Sequence, residues 1–168
     1  MTKRIIRPAP AEIEFRKKHF LITDQPQDLT MENYIKVLME HKVSHLVCAT
    51  DQSYKTDDLS KSVAVSELSF PDGSAPTQEI IEKWFEIVNK EFMGDPTTCV
   101  GVHCVTGLGR APVLVATALI ELGMKYEDAV ELIRKKRRGA INSKQLEFLA
   151  KYKRLNYFFK GKKYCHIQ

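Results

Sequence analysis

A cysteine and an arginine six positions apart, with two glycines between them, make His103-Cys104-Val105-Thr106-Gly107-Leu108-Gly109-Arg110-Ala111-Pro112 (HCVTGLGRAP) the segment of this chain most able to do chemistry. Gly107 and Gly109 let the backbone turn tightly and present N–H groups inward. With a helix start behind them, the amides of residues 105–110 form a cradle for an anion. The Arg110 guanidinium adds a planar fork that grips two phosphate oxygens. Cys104 lies at the edge of that cradle, and a field that holds phosphate also favours a thiolate. The reaction this predicts is phosphoryl transfer to sulfur, followed by hydrolysis. An isolated cysteine beside a glycine turn would read as a structural thiol. The joint pattern reads as a nucleophile with its oxyanion clamp. A departing group needs a proton, and Asp72 in SFPDGSAP is the candidate acid on a loop able to close over the cradle. By composition alone that Pro-Asp-Gly stretch is simply a turn.

These roles require a strand before the segment and a helix after it. TTCVGVH is a nearly all-apolar run, as expected of a central strand buried on both faces. APVLVATALIELG is apolar almost all round and predicts a helix buried in the middle of the domain, with Pro112 in its first turn and Gly123 ending it. In open α/β sheets ligands bind at the carboxyl ends of strands, which is where Cys104 would fall. Short strands are expected at IEF, HFLIT, VSHLVC and SVAVSEL. A helix capped by Thr30 carries Tyr34, Ile35 and Leu38 on one face, and another capped by Thr77 carries Ile80, Ile81, Trp84, Phe85 and Val88. DQSYKTDDLSK reads as a connection and SFPDGSAP as a loop. A helix opening with Glu127 and Asp128 and closing with Lys135 to Arg138 complements its own dipole, and INSKQLEFLAKYKRL makes a last helix capped by Asn142 or Ser143. The fold class is therefore α/β, a central mostly parallel sheet flanked by helices. One domain is expected over residues 1–155, followed by a basic tail over 156–168.

The chain has 168 residues, 43% of them hydrophobic, enough for one compact domain with a proper core. It contains no apolar run of about 18 residues, so no membrane-spanning helix is predicted. MTKRIIRPAPAE lacks the apolar core and cleavage site of a secretory signal. Four cysteines (Cys48, Cys99, Cys104, Cys165) without CxxC spacing suggest a reducing, intracellular setting rather than a disulfide scaffold or a zinc site. No metal and no other cofactor is expected. The net charge is +5, and residues 151–168 hold six Lys/Arg and no Asp/Glu. Such an end suits an anionic partner: nucleic acid, acidic lipid or acidic protein. The last residues, KGKKYCHIQ, place Cys165 fourth from the end with Gln last, which fits a farnesylation signal with lysines as a second membrane signal. Tyr157, Phe158 and Phe159 interleave with the basic residues, but no nucleic-acid-binding motif accompanies them, and nucleic acid is not the expected partner.

The segments VHCVTGLGRAPVLVA, GMKYEDAV and IRKKRRGAINSKQL, with RPAP, FLIT and the terminal CaaX box, resemble the phosphatases of regenerating liver (PRL, protein tyrosine phosphatase type IVA). The resemblance covers nearly the whole chain and is densest over residues 102–146. Cys-x5-Arg alone would point only to the wider tyrosine and dual-specificity phosphatase superfamily. Ala111 directly after the arginine, together with the prenyl box, points to this branch. The resemblance implies an α/β phosphatase fold, a thiophosphate on Cys104, Arg110 as phosphate clamp, Asp72 as general acid, and phosphoprotein or phosphoinositide substrates. It also implies low turnover, because Ala111 stands where most related phosphatases carry a Ser or Thr that assists breakdown of the intermediate. Prenylation at Cys165 would place the protein on the cytoplasmic face of the plasma membrane or endomembranes, and otherwise in the cytoplasm.

The sequence departs from the family in three ways. The acid loop reads Leu68-Ser69-Phe70-Pro71-Asp72 where the family has Trp-Pro and two adjacent aspartates. The family's reversible disulfide partner falls on Thr50, with Cys48 two residues earlier. The polybasic tail is short. Family members also dock the CBS-pair regions of membrane magnesium transport proteins, which gives a second hypothesis of another class: a binding module with residual activity. Other Cys-x5-Arg enzymes, such as arsenate reductases, would leave the CaaX box and the KYEDAV match unexplained.

Overall fold

The computed structural model describes residues 9–158. Five strands, β1 (Ala11–Phe15), β2 (Lys18–Thr23), β3 (Val43–Cys48), β4 (Ala64–Glu67) and β5 (Cys99–His103), form one sheet in the order β1-β2-β5-β3-β4. β1 and β2 are an antiparallel hairpin, and every other pairing is parallel. The mostly parallel sheet is the one expected. The parallel strands therefore end on one edge, where Thr23, Cys48 and His103 lie side by side, Thr23 and Cys48 each in register with His103.

Six helices are described: α1 (Met31–Glu40), α2 (Asp57–Ser60), α3 (Gln78–Gly94), α4 (Arg110–Glu121), α5 (Tyr126–Lys136) and α6 (Ser143–Lys151). Side chains alternate across the strands, so the sheet has two cores. Phe20, Ile22, Val100 and Val102 pack with Trp84 of α3, Leu114 of α4, Ile133 of α5 and Leu149 of α6. Leu21, Leu46, Cys48 and Cys99 face the other way, toward Leu38 of α1 and Leu59 of α2. β5 is buried at all five positions and α4 at all twelve, so the strand and helix that flank Cys104 and Arg110 are the most enclosed among the described elements. Trp84 donates its indole N–H to Leu114 O (2.8 Å), which fixes α3 against α4 without leaving a buried donor open.

Thr77 caps α3 by accepting from Ile80 N. Asn142 caps α6 in a reciprocal box with Gln145. Thr30 is different: its hydroxyl makes no cap bond, because residues Asp28–Thr30 already form a 3-10 turn and the Thr30 hydroxyl points back to Gln27 O. The polar stretch expected as a connection contains α2, a single helical turn held by buried Leu59.

The chain also stays packed beyond residue 155. Glu121, fully buried at the end of α4, accepts hydrogen bonds from Tyr152 Oη (2.9 Å), Leu155 N (2.5 Å) and Tyr157 N (3.1 Å). Phe85 packs against the rings of Tyr157 and Phe158. One buried carboxylate thus anchors the stretch from Tyr152 to Tyr157. Cys165 and its neighbouring lysines lie outside the described residues. Among the described residues, no helix is long and apolar enough to cross a membrane.

Candidate active site

Cys104 follows directly on β5 and is 2% exposed. The loop after it is shaped from outside. Val105 O accepts from Gln25 N (3.1 Å), and Leu108 O accepts from Ile141 N (2.7 Å). Thr106 O and Gly107 O accept from Nη2 (2.9 Å) and Nε (3.2 Å) of Arg137. Four successive carbonyls are therefore turned outward. In a trans peptide the following N–H points opposite to the C=O. The amides of residues 106–109 consequently face the loop interior, with Leu108 N also within reach of Thr106 Oγ1 (3.3 Å). Gly107 takes φ +69, and a Cβ there would lie 2.5 Å from Arg137 Nη2 and 2.7 Å from Thr23 O, so only glycine fits. The result is a ring of inward donors at the start of the buried helix α4, an arrangement able to receive an anion.

Arg110, the first residue of α4, is folded back into the site. Its Nη1 donates to Phe70 O (3.3 Å). Its Nε is buried and has no hydrogen-bond partner among the described residues. A buried charged donor left open costs on the order of 1–3 kcal/mol, and an incoming phosphate oxygen relieves that cost. Asp72 stands 87% exposed at the mouth, with Oδ1 3.7 Å from Arg110 Nε, an ion-pair distance too long for a hydrogen bond. The Asp72 loop thus sits over the ring of donors, with Phe70, which is buried, and Pro71 standing where the family has Trp-Pro. Ser69 Oγ donates to Asp51 (2.8 Å), and the carbonyls of Phe70, Gly73 and Ser74 accept from Arg110, Asn142 and Gln145.

Behind the nucleophile lies a buried polar group. His103 Nε2 contacts Tyr54 Oη (2.6 Å) and Cys48 Sγ (3.0 Å), and its Nδ1 faces Cys104 O (3.3 Å). Burial pushes the imidazole down to about 4, so it is neutral. A carbonyl only accepts, so the single ring proton belongs on Nδ1, leaving Nε2 to accept from Tyr54 or Cys48. Burial pushes the Cys48 thiol up to about 11 and raises that of Cys99 further still. Both are therefore protonated, packed thiols. Cys48 pairs with His103 and shares its sheet face, while Cys104 belongs to the core on the other face. The sheet stands between Cys48 and Cys104. Thr50, at the position of the family's disulfide partner, is a buried threonine.

The structure brings Cys104, the 105–110 loop and Asp72 together, and leaves Cys165 undescribed. Sequence reasoning missed Arg137, which is 1% exposed and also donates to Ala9 O (2.7 Å). It reads as one more cation in a run that closes a helix. A signal was present: position 137 follows Ile133 by four and Val130 by seven, the spacing of the buried face of α5. Burial lowers the pKa of Arg137, while the charges of Asp24 and Cys104 oppose the shift. Among the described residues, no group of three or more His, Cys, Asp or Glu is placed to hold a metal ion.

Comparison with known proteins agrees with this geometry. Residues 17–124 match the family model described as "Polymorphic toxin system, DSP-PTPase phosphatase". The PRL-1 phosphatase of Drosophila melanogaster is 51% identical over 172 aligned positions, covering 100% of this chain and 98% of that one. The human protein tyrosine phosphatase type IVA 3 is 47% identical, covering 89% of this chain and 87% of its own. Among solved structures, a protein tyrosine phosphatase from Leishmania major superposes with a TM-score of 0.77 at 37% identity, covering 86% of this chain and 99% of that one. PTPMT1, solved in complex with PI(5)P, has a TM-score of 0.67 at 20% identity over 92% of this chain and 98% of its own, a likeness of fold. With this degree of identity along its whole length, the chain belongs to the PRL, or protein tyrosine phosphatase type IVA, family of cysteine-dependent phosphatases.

Proposed function

We propose that this phosphatase works through Cys104 as nucleophile, Arg110 and the amides of residues 105–110 as phosphate cradle, and Asp72 as general acid. Cys104 Sγ attacks phosphorus, and the S–P bond forms as the ester P–O bond breaks. The departing oxygen takes the Asp72 proton. Water then attacks phosphorus and gives its proton to the Asp72 carboxylate, and the thiolate leaves. Ala111 offers that thiolate no hydroxyl, so the second step is the slow one. The observation that carries the reading is the set of four carbonyls held outward around an open Arg110 Nε. It describes a site built to receive a tetrahedral anion.

The substrate class we propose is a phosphoprotein, phosphotyrosine first, with a phosphoinositide as the second member of the class. A farnesyl group on Cys165 and the basic tail would hold the enzyme at an acidic membrane surface. The same cleft is proposed to dock the CBS-pair regions of magnesium transport proteins. The test is release of phosphate from a phosphotyrosine peptide and from a phosphoinositide, with Cys104→Ser and Arg110→Met beside the parent. Both variants should lose about 10³-fold or more in kcat/KM on the true substrate. Turnover that survives in Cys104→Ser would contradict the nucleophile assignment. CBS-pair binding that survives in Arg110→Met would separate docking from phosphate recognition.

A further inference from the structure

Two amides at the start of α6 touch the acid loop, and neither has a part in the reaction described so far. Asn142 Nδ2 donates to Gly73 O (3.1 Å), and Gln145 Nε2 donates to Ser74 O (3.2 Å). Their oxygens are occupied elsewhere. Asn142 Oδ1 accepts from Gln145 N (2.8 Å), and Gln145 Oε1 accepts from Asn142 N (3.1 Å). The capping box therefore fixes both oxygens toward α6, which leaves each NH₂ pointing away from the helix, at the acid loop. Gln145 is fully buried. It also backs the phosphate loop, since a Cβ on Gly109 would lie 3.3 Å from its Nε2. One rigid side chain is wedged between the loop that binds phosphate and the loop that carries Asp72. Gly73 has φ +71, a conformation that suits glycine, and it stands directly after Asp72.

We infer that Asn142 and Gln145 are positioning residues for proton donation: their two N–H···O=C bonds hold residues 73–74 so that the Asp72 carboxyl stays over the cradle. This rests on the reading of Asp72 as the general acid. It adds a second hold on an acid loop in which Phe70 stands where the family has Trp. Ser69 and Arg110 hold the near side, and α6 holds the far side.

The experiment separates proton donation from everything else by the leaving group. An aryl phosphate with a strongly acidic, fluorinated phenol needs no proton on departure, whereas phenyl phosphate does. The rate of formation of the thiophosphate, or kcat/KM, is measured on both for the parent, Asp72→Asn, Asn142→Ser and Gln145→Met. Serine still caps α6 but has no NH₂ to give to Gly73 O. Methionine keeps the length of Gln145 and adds no charge. Asp72→Asn should lose about 10²-fold on phenyl phosphate and little on the fluorinated ester. Asn142→Ser and Gln145→Met should show the same selective loss, about 10-fold each, and should add little when combined with Asp72→Asn. Retained rate on the fluorinated ester shows that the variants are folded. If Asp72→Asn is selective and the two α6 variants lose both substrates equally or neither, the positioning role is overturned while the acid assignment stands. If Asp72→Asn itself loses both equally, the acid assignment fails and the positioning role fails with it.

Discussion

Between Val105 and Leu108 the chain turns its carbonyls toward Gln25, Arg137 and Ile141, and the proposed phosphate cradle is what remains on the inside. Ile141 does this from φ +67, a rare conformation for a β-branched residue that costs on the order of 1–3 kcal/mol. The loop residues were legible as a spacing of Cys, Gly and Arg. Their supports were not, because the Arg137 guanidinium and the Ile141 amide reach loop carbonyls thirty or more positions away, and no local pattern records that. Ala111 is the other decisive residue at this scale. It is fully buried beside Arg110, and the family resemblance implies that a hydroxyl at this position would serve the leaving sulfur. Ala111→Ser should raise steady-state turnover about tenfold, the worth of one hydrogen bond formed in the transition state. The rate of the first step should not change. A serine variant with parental turnover would show that breakdown of the intermediate is not limited by this position.

At the scale of elements, β5 and α4 were readable because both are buried on every side and so are nearly all apolar. Thr30 stands at the N-cap of α1 as read, but its hydroxyl turns back to Gln27 O, because a cap residue in sequence does not show whether a 3-10 turn already precedes it. The pairing of β3 with β5 places Cys48 and His103 side by side, and this has a pH consequence. The folded His103 titrates at about 4 against an ordinary 6.5. As pH falls, the unfolded chain takes up the proton first, so unfolding is favoured progressively from about 6.5 down to about 4. The contribution is on the order of 3 kcal/mol, fully present above that window and lost below it. Urea unfolding at pH 7 and pH 4.5 should show this drop in the parent. In His103→Asn the stability should start lower and fall less. An equal fall in both proteins would remove His103 as the cause.

Across the whole molecule, the helix that starts at Arg110 is tied to the segment that follows α6. α4 begins at Arg110 and ends at Glu121, and the carboxylate of Glu121 receives the backbone of Leu155 and Tyr157. The rings of Tyr157 and Phe158 are seated on Phe85 instead of standing free. The sequence showed the charge of this end but not its anchor, since a lone Glu in an apolar helix carries no sign of its partners. Glu121→Ala should destabilise the protein by about 2–4 kcal/mol, because it strands two backbone donors and a tyrosine hydroxyl. Hydrogen exchange at Leu155 and Tyr157 should accelerate in that variant. Unchanged exchange there would mean that the segment is held by its aromatic packing alone.

The most direct test of the account is rapid mixing of the reduced protein with an activated aryl phosphate, alongside Cys104→Ser. A fast release of about one phenolate per Cys104, followed by slow turnover, is the predicted result, with no fast phase in the serine variant. A folded, reduced parent with no fast phase and no turnover would contradict nucleophilic catalysis at Cys104.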